Sequence, residues 1–288
     1  MFGIIGIVLI FGMVFGGYLL AGGKMGIILK ALPFEFMMIG GAAVGAFIIS
    51  NDLGAIKHSL SDLGKVFKGP KWKSPDYRDL LCLLYALIRV SRRDAVALES
   101  HIEDPQNSSI FQAYPKIQAD ETARTMICDT FRLTAMNFDD PHQLEELLAT
   151  QLEAKHKRSL HGAEAVQTMA DGLPALGIVA AVLGIIKTMS SIDQPPTVLG
   201  KMIGGALVGT FLGVFLAYGF VGPLSARMKA IVEADHEFYA LIKDTLVANL
   251  QRHSPQICVE VARQNVAAAM RPDFDALDGA LKTMAEAA

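Results

Sequence analysis

Two threonines and two prolines lie in or beside stretches of the chain that are otherwise apolar. They are Thr188, Thr210, Pro174 and Pro223. A proline inside a helix lacks the N–H donor, leaves a carbonyl unpaired and bends the helix. A threonine hydroxyl can line an ion path, bind a partner, or donate to the carbonyl four residues earlier in its own helix. The residue types therefore allow bending and polar contact inside an apolar layer.

The apolar stretches contain no ionisable residue near their middle. Glu35 and Lys187 stand at the ends of two stretches, where we expect them to anchor the chain at an interface. A membrane protein that moves ions unaided usually has Asp, Glu, Lys, Arg or His inside its spans. If an ion passes this chain, the carboxylate that carries it must come from another chain.

Four stretches hold none of the 26 Lys and Arg and none of the 29 Asp and Glu: residues 2–21, 36–51, 172–186 and 202–226. A helix of about 20 apolar residues crosses the roughly 30 Å hydrocarbon core, and flanking residues can extend the two shorter stretches. The remaining residues are charged like an ordinary soluble domain. The sequence predicts an all-α integral membrane protein with four transmembrane helices and a large helical cytoplasmic domain.

The same pattern divides the chain into four segments. Transmembrane helices 1 and 2, at about 2–21 and 34–51, lie in residues 1–51, and a cytoplasmic helical domain follows in 52–170. Residues 171–223 hold transmembrane helices 3 and 4, at about 172–192 and 201–222, and 224–288 form a cytoplasmic helical extension. Helical spacing of apolar residues predicts cytoplasmic helices at 77–100, 141–169 and 224–252. The last should continue the fourth span without a break.

Positive charge sets the orientation of the spans. The two short connections carry four Lys, whereas eleven Lys and Arg lie near the other ends of the spans. Since Lys and Arg accumulate on the cytoplasmic side, both termini and the long segments should be cytoplasmic.

Other functional classes find little support in the sequence. The net charge of −3 gives no reason to expect nucleic acid, and three scattered cysteines fit a reduced compartment without disulfides. No phosphate loop, nucleophile elbow or paired-carboxylate motif is present. His156 and His161 are five apart and have no neighbouring acid or cysteine pair at metal spacing. We therefore expect no enzyme, no metal site and no bound cofactor.

Small residues recur at four-residue spacing in the spans. Such faces let helix backbones approach closely in lipid, either within one chain or between chains. The number of these faces favours contacts with other copies or with a partner. The glycines that form them include Gly12 and Gly16, Gly41 and Gly45, Gly177, and Gly205, Gly209 and Gly213.

Four motifs in the apolar stretches and in the segment between them are specific in combination. The fourth stretch reads Ala206-Leu-Val-Gly-Thr210-Phe-Leu-Gly213-Val-Phe, followed after seven residues by Pro223. The third reads Asp171-Gly-Leu-Pro174-Ala-Leu-Gly-Ile-Val-Ala-Ala, and the chain also contains Val14-Phe-Gly-Gly-Tyr18 and Phe111-Gln-Ala-Tyr-Pro115. Together these motifs resemble the MotA family of flagellar motor stator subunits, and the resemblance covers residues 1 to about 275.

The resemblance implies a homo-oligomer, a pentamer in this family, around a dimer of the single-span partner MotB in the bacterial inner membrane. MotB supplies a membrane aspartate, and proton flux is converted to torque that drives motility and supports chemotaxis. Pro174 and Pro223 then correspond to prolines that matter for the coupled movement, and Thr188, Thr210 and Asp171 lie by the channel. Removing a charge at membrane depth by protonation is worth a few kcal/mol, enough to bias such a movement.

The resemblance also implies a contact with the rotor protein FliG through complementary charge. Glu99 matches the acidic position of the family, and the arginine position corresponds to Arg92 or Arg93, because the spacing is one residue shorter here. Taken alone, these residues resemble a solvated helix end. Exposed ion pairs contribute under about 1 kcal/mol each and are screened by salt.

Three alternatives remain open at this stage. An ExbB/TolQ-like energiser uses a similar ring around a partner carboxylate but usually has three spans. A sodium-driven stator would share the fold, although the first span resembles proton-driven members more closely. A scaffold without ion flux would tolerate Thr210→Val and Pro174→Ala, because packing alone should survive both changes.

Overall fold

A computed structural model describes residues 2–286, which are helical with no strand among them. The helices in the first half are α1 (Phe2–Leu20), α2 (Met25–Ser50), α3 (Leu53–Lys68), α4 (Ser74–Arg93), α5 (Ala95–Glu103), α6 (Ser109–Gln112), α7 (Pro115–Gln118) and α8 (Glu121–Ala135). The second half contains α9 (Pro141–Met189), α10 (Pro196–Leu216), a π-helical turn (Ala217–Val221), α11 (Gly222–Leu250), α12 (Pro255–Asn265) and α13 (Phe274–Glu286).

Four helices are long and apolar enough to cross a membrane: α1, α2, the second half of α9, and α10 with its continuation. Their exposed surface is rich in large apolar side chains such as Leu9, Met37, Ile178 and Leu207. Lipid can cover such side chains, whereas water would leave them unfavourably exposed. The predicted fold class, all-α with four spans, is confirmed.

The chain forms two compact units. The membrane unit runs to Gly69 and includes Arg158–Ile231, and the second unit comprises Pro70–Lys157 and the residues from Val232 onward. The borders of a compact unit do not show where the lipid bilayer begins or ends. The segment borders predicted at residues 51, 170 and 223 therefore stay predictions.

The second span begins earlier than its uncharged stretch suggested. Gly22 adopts φ +81 in the turn after α1, and α2 begins at Met25 rather than near residue 34. Lys30 and Glu35 are good helix formers, so they do not interrupt α2. Pro33 lies inside the helix as well. Pro33 and Glu35, which directly precede the uncharged stretch 36–51, are thus both within the helix.

The helix predicted at 77–100 is two helices, and that prediction is wrong. The Asp94 carboxylate accepts hydrogen bonds from the backbone N–H groups of Val96 at 2.9 Å and Ala97 at 3.2 Å. Its own N–H closes α4 on the carbonyl of Val90. Asp94 is therefore the C-cap of α4 and the N-cap of α5, a position where aspartate is strongly preferred.

The fourth span runs on to Leu250 as expected, with a π-helical turn at Ala217–Val221. Pro223 follows this turn directly. Because proline has no N–H, the carbonyl of Gly219 loses the donor that a regular helix would provide. The N–H of Gly222 instead bonds the carbonyl of Ala217, five residues earlier. The wider π-helical turn thus accommodates Pro223, and the helix continues beyond it.

The second unit has a large apolar core, to which α4 contributes one complete face. The indole of Trp72 stacks on Phe238 with ring centroids 3.8 Å apart. Leucines and aromatic residues from several helices fill the rest: Leu80, Leu83, Leu84 and Leu87 of α4, Ile127 and Phe131 of α8, Leu144 and Leu148 of α9, and Leu241 and Ile242 of α11. This core holds α4 and α5 in place.

Asp120 is the buried acid of this unit and caps α8. Its carboxylate accepts hydrogen bonds from Ala123 N at 2.7 Å, from the Tyr239 hydroxyl at 3.0 Å and from the Lys71 ammonium. Burial by itself would raise the pKa of Asp120, but the hydrogen bonds from these three groups outweigh it, and the pKa lies below its ordinary value.

We expect Asp120→Asn to lower the free energy of unfolding by about 1–3 kcal/mol, because it removes the charge that three donors satisfy. Since the folded pKa is depressed, the ionised carboxylate stabilises the fold at neutral pH. That contribution should disappear as the pH falls through the folded pKa. Thermal unfolding of the purified protein between neutral and acidic pH measures both effects, with the exposed Asp139→Asn as control. Equal losses in the two variants would contradict the prediction.

Candidate functional site

Pro174 lies inside α9, within the membrane unit. It cannot donate to the carbonyl of Ala170, a residue that is 2% exposed, so α9 contains a weakened turn at this level. The neighbouring Leu173 packs in a cluster with Ile39, Ala180, Leu212 and Ala217, and Val221 covers its edge. The turn at Pro174 and the π-helical turn before Pro223 therefore contact the same small core.

The two threonines occupy different environments. Thr188 is 5% exposed, and its hydroxyl donates to the carbonyl of Gly184 at 2.9 Å. Of the roles left open by the sequence, Thr188 thus adopts the bond within its own helix, and its oxygen retains acceptor capacity. Thr210 is half-buried on α10, and its hydroxyl makes no hydrogen bond within residues 2–286. Only Thr210 offers a fully available hydroxyl.

The spans α9 and α10 meet at backbone distance along a row of small residues. A Cβ on Gly213 would lie 2.6 Å from the carbonyl oxygen of Leu173 and 2.8 Å from Cα of Gly177. A Cβ on Gly184 would lie 2.6 Å from that of Ala206. No side chain fits at these contacts, so glycine is required for the approach.

The expectation that the small faces serve other chains is therefore wrong for the third and fourth spans, which pack on each other. It stays a prediction for the first two. Gly12, Gly16, Gly41 and Gly45 have no atom of the described chain within 4 Å of an added Cβ. The four-residue spacing of small residues shows that another helix can pack closely against that face, but it does not identify which helix does so.

Glu35 lies well inside α2, and the prediction that it anchors the chain at an interface is wrong. It is 6% exposed, and its Oε2 has no hydrogen-bond partner in the described residues. A Cβ on Gly209 would lie 2.6 Å from this oxygen. An interfacial anchor would reach water, so that role is excluded by the burial. The available signal was the position of Glu35 two residues after Pro33, between apolar residues on both sides.

The remaining predicted site residues lie at the surfaces of their own units. Asp171 is exposed on α9, one turn before Pro174, and accepts a hydrogen bond from the Gln167 amide at 2.8 Å. Glu99 is exposed on the short helix α5. The helix of Glu99 packs on α4 and α8, so its position is fixed by the core of the second unit.

The two arginines that precede Asp94 are both exposed. The Arg92 guanidinium donates to Oδ1 of Asn249 at 2.8 and 3.2 Å and to the carbonyl of His253. Arg92 thus joins the end of α4 to the end of α11 and the turn that follows it.

In the part of the chain that the structure describes, no three His, Cys, Asp or Glu side chains converge as metal ligands would. His156 lies beside His236, with ring centroids 4.3 Å apart. Burial, then the neighbouring His156 and Lys243, lowers the pKa of His236. The three cysteines are buried and free.

Comparison with known proteins places this geometry in a family. The Motility protein A N-terminal model matches residues 4–95, and the MotA/TolQ/ExbB proton channel family model matches residues 118–239. The chain is 37% identical over 276 residues to Motility protein A of Salmonella typhimurium and, equally, of Escherichia coli, covering 96% of this chain and 93% of each relative. The chain belongs to the motility protein A (MotA) family.

The fold agrees with that of a solved MotA-containing complex, the flagellar MotAB stator complex from Bacillus subtilis. The TM-score is 0.73 at 21% identity, and the match covers 95% of this chain and 99% of that one. Membership of the MotA family makes the chain a flagellar stator subunit within the wider proton channel family. Its relatives over nearly the whole length are motility proteins, which favours this function over an ExbB/TolQ-like energiser.

We expect Gly213→Ala to reduce stability by about 1–3 kcal/mol, because its Cβ would force the backbones of α9 and α10 apart. Gly200→Ala on the same helix is the matched control, since an added Cβ there meets no described atom within 4 Å. Thermal unfolding in detergent compares the two variants. A loss for Gly200→Ala as large as for Gly213→Ala would contradict the prediction, because alanine is the better helix former and Gly200 makes no close contact.

Proposed function

We propose that this chain conducts protons across the bacterial inner membrane together with a MotB-type partner and converts the flux into torque. The proposal is supported mainly by two weakened turns, one at Pro174 and one before Pro223, which contact the same small apolar cluster. A helix that has lost a backbone hydrogen bond bends more readily than a regular one. The two turns are where a change at an ion site can alter the shape of the spans.

A partner dimer supplies the carboxylate in this proposal. The B. subtilis complex similar in fold contains both MotA and MotB. Protonation of a partner aspartate would remove a charge worth a few kcal/mol at membrane depth. That free energy can shift a two-state equilibrium between bent and straighter helices by one to two orders of magnitude. Thr210, Thr188 and Asp171 are the polar residues of this chain that we assign to the path.

Several copies of the chain, five by analogy with the family, surround the partner dimer. The glycine faces of α1 and α2 support this assembly, since an added Cβ at Gly12, Gly16, Gly41 or Gly45 meets no atom of the described chain. Such faces allow close packing of helices from neighbouring copies in lipid. The excess of Lys and Arg near the inner ends of the spans supports cytoplasmic termini.

The second unit contacts the rotor protein FliG through charge. Arg92 and Arg93 are exposed at the end of α4, and Glu99 is exposed on α5. Arg92 also holds that region by its bonds to Asn249 and His253. Weak exposed charge pairs suit a contact that forms and breaks at every step. We propose protons rather than sodium as the coupling ion, no bound cofactor and no enzymatic activity.

We expect Pro174→Ala to abolish swimming while the complex still assembles, because alanine restores the hydrogen bond to Ala170 and stiffens α9. Cells that produce the chain with its partner are scored for swimming, and cytoplasmic acidification is measured with a partner whose plug is deleted. Pro196→Ala is the control, since Pro196 is the first residue of α10, where proline does not bend a helix.

Two results would count against the stator proposal. One is a chain that carries no proton current with any partner and whose loss leaves motility unchanged, which would favour an energiser or a scaffold. The other is normal swimming in both Pro174→Ala and Thr210→Val, because packing alone tolerates these changes.

We expect Glu99→Lys to reduce swimming several-fold without lowering stability, because Glu99 is exposed and the change acts only on a partner charge. A compensating charge reversal in FliG should restore part of the speed. Glu145→Lys is the control, an equal reversal at another exposed glutamate of the second unit. If both reversals slow swimming equally, net charge rather than a specific contact explains the effect.

A further inference from the structure

Glu35 is a carboxyl group inside a membrane span with no assigned role. In α2, the only other charged residue is Lys30, which lies more than one turn closer to the start of the helix and is exposed. Glu35 is 6% exposed, and Oε2 is buried without a hydrogen-bond partner in the described residues. A buried polar atom without a partner is rare in a native structure and calls for an explanation.

The carboxyl group lies well inside a helix that is long and apolar enough to cross a membrane. Ten residues separate Glu35 from the start of α2 at Met25, which corresponds to about 15 Å at about 1.5 Å per residue. An ionisable residue that is buried inside a membrane span is unfavourable unless it has a function or a partner.

Small residues of α9 and α10 leave the space that the carboxyl group fills. A Cβ on Gly209 would lie 2.6 Å from Oε2 and 3.2 Å from Cβ of Ala180. It would also lie 3.3 Å from the backbone N of Ala181. The helices α2, α9 and α10 therefore meet around Gly209, and no group of the described residues donates a hydrogen bond to Oε2.

No cation of the described residues contacts the buried Oε2 of this carboxyl group. Lys187, near the end of α9, and Lys201, near the start of α10, are both exposed. An unpaired carboxylate is strongly disfavoured in such surroundings, whereas a carboxylic acid with its proton is tolerated. The group can therefore hold a proton and release it when water or another proton acceptor arrives.

Glu35 also lies near a residue of the proposed ion path. Oε2 faces Gly209, and Thr210 is the next residue on α10, about 100° around a helix of 3.6 residues per turn. The carboxyl group and the free threonine hydroxyl are thus at the same level on neighbouring faces of α10. A proton could move between these faces through one or two water molecules.

We propose that Glu35 is a proton-binding site inside the membrane that exchanges its proton with those conducted by the stator. A proton from the outer side binds the carboxylate and forms an O–H bond, and its release toward the partner regenerates the carboxylate, which the next proton neutralises. No electron is transferred and no group is consumed. The inference rests on the proposed function, since it requires proton flux through the complex.

A purely structural role for Glu35 leads to a different expectation. A carboxyl group that only fastened the three spans would need a hydrogen-bond partner, and Oε2 has none within residues 2–286. Glutamine has nearly the same shape and can still accept and donate hydrogen bonds, but it does not ionise. The substitution Glu35→Gln therefore separates proton exchange from packing.

The test uses the full chain with its partner, the partner plug deleted, and measures cytoplasmic acidification per assembled complex. We expect Glu35→Gln to lower the flux at least tenfold and Glu35→Asp to retain a substantial part of it. The pH dependence of the flux should also change in Glu35→Gln. The control Glu164→Gln removes an exposed carboxyl group of α9 and should leave the flux within twofold of the wild type.

The outcomes distinguish this inference from the proposed function. If the wild-type complex carries no flux, the proton-stator function itself fails. If the wild type conducts and Glu35→Gln conducts within twofold of it, only the role of Glu35 is overturned. If Glu35→Gln does not assemble, infrared spectra of the wild-type and Glu35→Asp complexes decide. A protonated-carboxyl band that shifts in Glu35→Asp and titrates with pH supports the site, and its absence overturns it.

Discussion

The close approach of α9 and α10 is the contact on which the membrane unit depends. Gly177 and Gly213 let the two backbones touch, and lipid offers no hydrophobic gain that could replace this packing. The approach closes the small cluster around Leu173 and Ala180, against which α2 packs through Ile39. Without this contact, the two weakened turns would not share a core, and three spans would not converge on a buried carboxyl group.

The glycines and the prolines of the spans have different structural roles. Glycine contacts fix the distance between two helices, and the weakened turns at Pro174 and before Pro223 lie at one end of that contact, beside Leu173 and Ala217. A bend can therefore change there while the contact between Gly184 and Ala206 stays in place. The other glycine faces, on α1 and α2, are open and suit contacts between chains, which need not change during such a bend.

Charge patterning and motifs were enough to predict the four spans, the all-α class and the family. The details of individual residues depend on local contacts that these patterns do not show. The ends of the uncharged stretches were taken as the ends of the spans, so Glu35 was placed at an interface. In the structure, three small residues of α9 and α10 leave space for its side chain inside the membrane unit. Asp94 divides a helix whose apolar spacing is continuous, because its carboxylate caps the next helix better than it continues the first. The Thr188 hydroxyl had several possible partners, and only the structure selects the Gly184 carbonyl.

Two continuous helices each contain residues of the membrane unit and residues of the core of the second unit. Helix α9 contains both Pro174 and the core residue Leu144, and the helix that follows the π-helical turn contains Phe238, which stacks on Trp72. An unbroken helix resists bending except where its hydrogen bonds are missing. The turns at Pro174 and before Pro223 are therefore the places where these two continuous helices bend most readily, because each turn lacks a backbone hydrogen bond that a regular helix would have.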